Sequence, residues 1–212
     1  MGDGALLMKE ILYDWGGANI WLFNAINGIH SDFLDQFMML GTLLAGHDNF
    51  PVYLGFACLV AIGSLSNIQI NHPDSARKKA VNWLLTISVF CIAYMLDGQM
   101  LNLVKSWLDF PRPLLILPPS SIHVFGRPEY HYSLPSGHAS FAMLLTASLW
   151  PMLRHNSRRI GLFFVVWAGL SRISLGAHFP ADVLAGYVSA LLIVLAVRWI
   201  LKTTLAPTWI EP

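Results

Sequence analysis

Five apolar runs, at 50–65, 80–103, 139–153, 160–175 and 183–201, dominate this sequence, and most of its charge lies between them. A membrane-spanning helix needs about 20 mostly apolar residues, and runs of this length recur too often to fit inside one soluble core. The runs at 139–153 and 160–175 are short, and small flanking residues such as Ser136 and Gly137 extend them. Hydrophobic residues make up 55% of the 212-residue chain and charged ones 12%, against roughly 25% charged in an ordinary globular domain. Such a chain cannot cover its surface with polar groups, which excludes a soluble domain. A net charge of +1 excludes a polybasic nucleic-acid binder. Cys58 and Cys91 both lie in apolar runs and read as small buried hydrophobes, with no paired spacing for zinc or redox chemistry. Residues 1–14 lack the basic start and apolar stretch of a signal peptide, so an internal run is expected to drive insertion.

Residues 1–49 follow a different pattern. Trp15, Trp21, Leu22, Phe23, Ile26 and Ile29 recur at helical spacing, but Asn19, Asn24, Asn27, His30 and Asp32 interrupt them. The next stretch, 33–44, is too short to span unaided. Two amphipathic helices lying in the interface fit this pattern better than a sixth crossing. The expected fold is therefore all-α: one polytopic membrane helical bundle over 1–212, with five or six transmembrane helices. Residues 1–49 form an N-terminal interfacial region and 50–201 the transmembrane core. Basic clusters at Arg77–Lys79, at Arg154, Arg158 and Arg159, and at Arg198 and Lys202 fall on one face if five spans alternate. The positive-inside rule makes that face cytoplasmic. The connections 105–138 and 171–182 share the opposite face.

Those two connections carry the chemistry. The first begins with Lys105 and Arg112-Pro113 and ends in Pro135-Ser136-Gly137-His138; the second runs from Ser171-Arg172 through His178 to Asp182. Snorkelling accounts for a single Lys or Arg at a helix end. Three cations, two histidines and a carboxylate converging from three helix ends point to a site. Spread negative charge on a phosphate calls for several fixed donors, and a guanidinium offers a fork that fits its oxygens. Lys105, Arg112 and Arg172 suit that cradle. Pro135 reads as a helix start, so the amides around Ser136 and Gly137 are expected to face an anion, and Gly137 permits close approach. Pro180 reads as a first helical position, bringing Asp182 within reach of the His178 imidazole. A carboxylate there fixes the tautomer and leaves the other nitrogen as nucleophile. His138 is placed to protonate the departing oxygen. No carboxylate cluster suggests a metal, and no cofactor is called for.

The pattern Lys105-x6-Arg112-Pro113, Pro135-Ser136-Gly137-His138 and Ser171-Arg172-x5-His178-x3-Asp182 resembles all three signature motifs of the type 2 phosphatidic-acid phosphatase family. Vanadium haloperoxidases and glucose-6-phosphatase share these motifs. The resemblance spans 105–182. It implies His178 as a phosphohistidine nucleophile, Asp182 as its partner, and His138 as the acid. Lys105, Arg112, Ser136, Gly137 and Arg172 are then phosphate-binding. It further implies a six-helix core with the site on the extracytoplasmic side of a bacterial inner membrane, and this chain departs from it at the first helix.

Several other polar residues have plainer readings beside a functional one. Arg127 and Glu129 either contact a second phosphate or head group or pair with one another. His123 and His131 are read mainly as loop polar groups, with His131 kept beside Arg127 and Glu129 as a substrate-loop candidate. Asp109 is expected to cap or to pair with a cation; Asp97, Gln99 and Asn102 to make structural hydrogen bonds; and His47 and Asp48 to form a turn. The motifs do not choose among undecaprenyl diphosphate, phosphatidylglycerophosphate and phosphatidic acid. The isoprenoid-type outline suggests the first. Gly137, where such enzymes commonly carry aspartate, suggests the glycerophospholipids. A lipid A phosphatase or a lipid phosphotransferase has the same centre. A haloperoxidase is disfavoured by the apolar composition, and a non-catalytic binder or transporter by the complete motif set. The expected partners are a membrane lipid phosphate and the bilayer.

Overall fold

The computed structural model describes residues 13–66 and 73–209, and every regular element within them is helical. The main helices are α1 (Ala18–Asn27), α2 (Asp32–Leu44), α3 (Phe50–Ser66), α4 (Pro73–Leu108), α5 (Gly137–Leu149), α6 (His155–Ser174) and α7 (Pro180–Trp209). All five apolar runs are helical. Three stretches, His47–Ser66, Asp74–Ile116 and Pro180–Thr204, are long and apolar enough to cross a membrane. Large apolar side chains stand exposed along their outer faces, Val52, Phe56, Leu59 and Ile62 on α3 and Leu184, Val188, Leu192 and Leu195 on α7. Their three- and four-residue spacing makes a continuous stripe suited to lipid.

Helix α5 is apolar for a different reason. Its 13 residues reach only about 20 Å, and the chain leaves the helix through a turn at Trp150–Met152, with Pro151 inside it. Phe141, Ala142 and Leu144 are fully buried. Phe141 and Leu144 pack with Val89, Phe90 and Ala93 of α4 and Ala190 and Val194 of α7. The run at 139–153 is thus the centre of the bundle.

Helices α5 and α7 run parallel, with both N-termini at one end. The Ser136 amide donates to the Asp182 carbonyl at 2.9 Å. Gly186 allows this approach, since a Cβ there would stand 2.5 Å from the Ser136 oxygen. At the other end Arg198 donates to the Ala147 and Ser148 carbonyls, and Lys79 to the Ser64 carbonyl. Two of the basic clusters therefore cap helix C-termini away from the 105–138 connection, as the helix dipole favours.

The short helices α1 and α2 lie against α6 and α7. Of the polar residues that interrupt their apolar pattern, Asn19 and Asn27 point into the bundle, while Asn24, His30 and Asp32 are exposed. Asn19 accepts from the Ala181 amide at 3.0 Å, in the first turn of α7. Asn27 donates to the His123 and Ser174 carbonyls and accepts from the His123 amide. Asp35 meets His123 at 2.8 Å, and Thr42 meets Ser171 at 3.0 Å. Two of the breaks in the amphipathic face, Asn19 and Asn27, thus supply hydrogen bonds that tie this region to the elements around the site. The portion of the N-terminal region before residue 13 lies outside the described residues.

Candidate active site

The start of α7 builds the first part of the site. Phe179 accepts the Asp182 amide, so Phe179 is the N-cap, Pro180 the first helical residue, and Asp182 the third. Asp182 Oδ2 reaches back to the Phe179 amide at 2.8 Å, a capping-box contact. The same oxygen lies 3.4 Å from His178 Nδ1. One carboxylate thus caps the helix and faces the imidazole, which explains the His-x3-Asp spacing. Both side chains are buried.

The tautomer of His178 follows from its other neighbour. Arg112 Nη1 lies 3.1 Å from His178 Nε2. A guanidinium only donates, so Nε2 carries the lone pair and Nδ1 the proton, facing Asp182. Burial, with the charges of Arg112, Arg172, Lys105 and His138, holds the His178 pKa well below the ordinary imidazole value. The ring is a neutral base with its lone pair open to the cations.

A cavity of about 410 Å³ joins these groups; Lys105, Arg112, Glu129, Gly137, His138, Arg172 and His178 line it, with His47 and Asp48 at one side. Three cations come from three directions: the last turn of α4, the stretch after it, and the last turn of α6. Arg112 is fixed by its Nε donating to the His131 carbonyl at 2.8 Å and Nη1 to the Ala177 carbonyl at 3.0 Å. Among the described residues, the buried donors without a hydrogen-bond partner include Ser136 Oγ and Arg172 Nε at this site. Buried donors are nearly always satisfied, and an orphan on one of the three cations, with a second on the residue before Gly137, suits an anion. The Ser136 amide differs from expectation. It is taken by the Asp182 carbonyl, so the amides left for an anion belong to the first turn of α5, which begins at Gly137.

His138 sits in that first turn and lines the cavity opposite the dyad. Burial first, then the charges of Arg172, His47, Lys105 and Arg112, hold its pKa down to about 3. A dianion among those cations would offset them and favour the protonated ring.

The loop between the motifs holds one difference from the sequence reading. Glu129 pairs with Arg112 at 2.6 Å and lies 3.6 Å from Arg172, rather than with Arg127. Two buried guanidiniums outcompete one exposed cation for a carboxylate. Arg127 and His131 line an outer cavity of about 620 Å³ with Tyr130 and Tyr132. His131 meets Asp109 at 3.3 Å, so Asp109 pairs with an imidazole. Asp97, fully buried, accepts from Ser140 Oγ at 2.6 Å and lies 3.4 Å from His47 Nε2. His47 does sit in a turn, and it also faces the site.

Sequence reasoning misses Tyr13, Ser133 and His47. Tyr13 donates to Asp182 Oδ1 at 2.9 Å and Ser133 Oγ donates to Oδ2. Neither belongs to a spaced motif. Only the position of Ser133 just ahead of Pro135 gives any signal.

The chain and its fold have known relatives. The chain is 28% identical over 157 residues to a lipid A 1-phosphatase of Rhizobium johnstonii, covering 69% of this chain and 61% of that protein's length. It resembles the crystal structure of Aquifex aeolicus LpxE with a TM-score of 0.69 at 22% identity, over 85% of this chain and 94% of that one. It also resembles a transmembrane PAP2 type phosphatidylglycerolphosphate phosphatase from Bacillus subtilis, with a TM-score of 0.64 at 21% identity, over 93% and 92%. At such identities the two structures speak for the fold alone. The family model described as the PAP2 superfamily matches residues 75–205, which hold every motif residue from Lys105 to Asp182, and the chain belongs to that superfamily.

Proposed function

We propose that the protein is an integral membrane lipid phosphatase that hydrolyses a lipid phosphate through a phosphohistidine on His178. One observation carries this reading: His178 lines a cavity framed by Lys105, Arg112 and Arg172, with its Nε2 turned to the Arg112 guanidinium at 3.1 Å. The cations and the Ser136 hydroxyl hold the phosphoryl oxygens and take up charge as it spreads. Nε2 attacks phosphorus and the bond to the leaving oxygen breaks. That oxygen takes its proton from His138. The phosphorylated ring is cationic, and Asp182 stabilises it through Nδ1–H. Neutral His138 then takes a proton from water, the water oxygen bonds to phosphorus, and the P–N bond breaks to release inorganic phosphate.

Among substrates, a lipid A 1-phosphate stands first, supported by the name of the Rhizobium relative. Phosphatidylglycerophosphate stands second, supported by Gly137. The site faces the extracytoplasmic side of a bacterial inner membrane, supported by the basic clusters at the opposite end. The test is phosphate release from detergent-solubilised protein with EDTA present, across lipid A, phosphatidylglycerophosphate, phosphatidate and isoprenyl diphosphate. Wild type is expected to turn over at least one of them, lipid A fastest. His178→Ala is expected to lose roughly 10³-fold or more. A variant as fast as wild type would end the phosphohistidine reading.

A further inference from the structure

The mechanism leaves one half-buried group at the dyad unused. Asp182 has two carboxylate oxygens with different surroundings. Oδ2 receives the Phe179 amide and the Ser133 hydroxyl and faces His178. Oδ1 receives the Tyr13 hydroxyl at 2.9 Å. Tyr13 precedes α1, 169 residues away in sequence. Its ring stacks on Phe110 at 4.7 Å with 10° between planes, and meets Phe179 edge-on at 6.3 Å. Phe110 lies between Lys105 and Arg112, and Phe179 between His178 and Asp182. One tyrosine therefore touches the first motif and the third and ends on the carboxylate.

We propose that Tyr13 is a positioning residue of the dyad, through which the segment before α1 completes the active site. The proposal rests on the phosphohistidine reading. A carboxylate held only at Oδ2 is restrained about its last torsion from one side alone. A donor fixed at Oδ1 restrains it from the other and keeps Oδ2 towards Nδ1 of His178. The ring contacts fix the donor in turn, so the hydroxyl is aimed by packing on both sides. Charge follows geometry. A donor at Oδ1 draws charge from the carboxylate and makes it a weaker base towards the imidazole proton. Burial and the adjacent carboxylate raise the Tyr13 pKa, so it remains a neutral donor.

The other charged and titratable groups around the dyad come from every neighbouring element. They are Lys105 of α4, Arg112 after it, Glu129 of the loop, His138 of α5 and Arg172 of α6, with His47 and Asp48 across the cavity. Tyr13→Phe leaves all of them in place, keeps both ring contacts, and removes only the donor. Without it Asp182 becomes more basic and His178 holds a proton to higher pH. The nucleophile must be neutral, so the acid limb of kcat/KM moves upward.

The experiment compares full-length wild type, Tyr13→Phe and His178→Ala in detergent, with kcat, KM, thermal stability and the pH profile of kcat/KM measured for each. Tyr13→Phe is expected to lower kcat roughly ten-fold with KM little changed, and to shift the acid limb up by roughly half a pH unit. A kcat within about two-fold of wild type and an unmoved acid limb overturns the proposal. So does a drop in kcat that tracks a drop in thermal stability while the acid limb stays put, since that is packing alone. His178→Ala separates the two levels. If it is inactive while Tyr13→Phe behaves as wild type, the positioning role fails and the phosphohistidine stands. If it is as active as wild type, the underlying reading fails.

Discussion

Two imidazoles at the site are held neutral, and protein stability is where this shows first. Below about pH 6.5 the unfolded chain protonates its histidines, while buried His138 and His178 resist, His138 down to about 3. The unfolded state then binds more protons, so stability falls as pH drops through this window. Each histidine that stays neutral costs about 2 kcal/mol between roughly pH 6.5 and 5. The phosphate-free protein is expected to lose thermal stability from pH 7.5 to 5, and His138→Gln/His178→Gln to lose distinctly less. Parallel curves for the two proteins would contradict this. At the same scale, the candidate residues are legible because three short motifs place each one at a fixed distance from a helix end. Tyr13 and Ser133 are not, because a single hydroxyl has neither periodicity nor charge. Only folding shows that both donate to Asp182. Glu129 stands out in the sequence but its partners do not, since Arg112 and Arg172 come close to it only when α4, the loop and α6 meet.

The helices carry a tighter constraint than their apolarity suggests. Parallel α5 and α7 bring two positive dipole ends and the groups His138, His178 and Asp182 to one place. Gly186 makes the approach possible, since a Cβ there would meet backbone atoms, the Ser136 oxygen at 2.5 Å and the Ser140 amide at 3.1 Å. Gly186→Ala must push the helices apart or strain them, at about 1–3 kcal/mol. Thermal stability and kcat are expected to fall together, with the Ser136–Asp182 backbone hydrogen bond the first to break. A variant with wild-type values of both would show that the spacing is not required. The five apolar runs are legible as helices, yet hydrophobicity cannot tell a lipid-facing helix from one enclosed by its neighbours. The short length of α5 and Pro151 near its end are the cues to a central helix. In α1 the asparagines look like faults in an amphipathic face, but Asn19 and Asn27 satisfy backbone groups at the start of α7, at the end of α6 and in the loop between the motifs.

Across the whole molecule, a near-zero net charge conceals an axis. Arg198 and Lys79 hold helix C-termini at one end, while Lys105, Arg112 and Arg172 gather at the other around one cavity. This polarity is legible in the alternation of apolar runs and basic clusters; the relation of residues 1–49 to it is not. Those of them that the structure describes brace the end that holds the candidate site: α1 and α2 reach the first turn of α7, the end of α6 and the loop between the motifs. The proposed chemistry depends throughout on His178 taking the phosphoryl group. The most direct measurement is rapid acid-free quenching of the turning-over enzyme, followed by mass spectrometry of its peptides. Phosphate is expected on His178 in wild type, at a higher level in His138→Ala with a good leaving group, and absent in His178→Ala. Turnover with no phosphate on His178, or phosphoprotein persisting in His178→Ala, would contradict it.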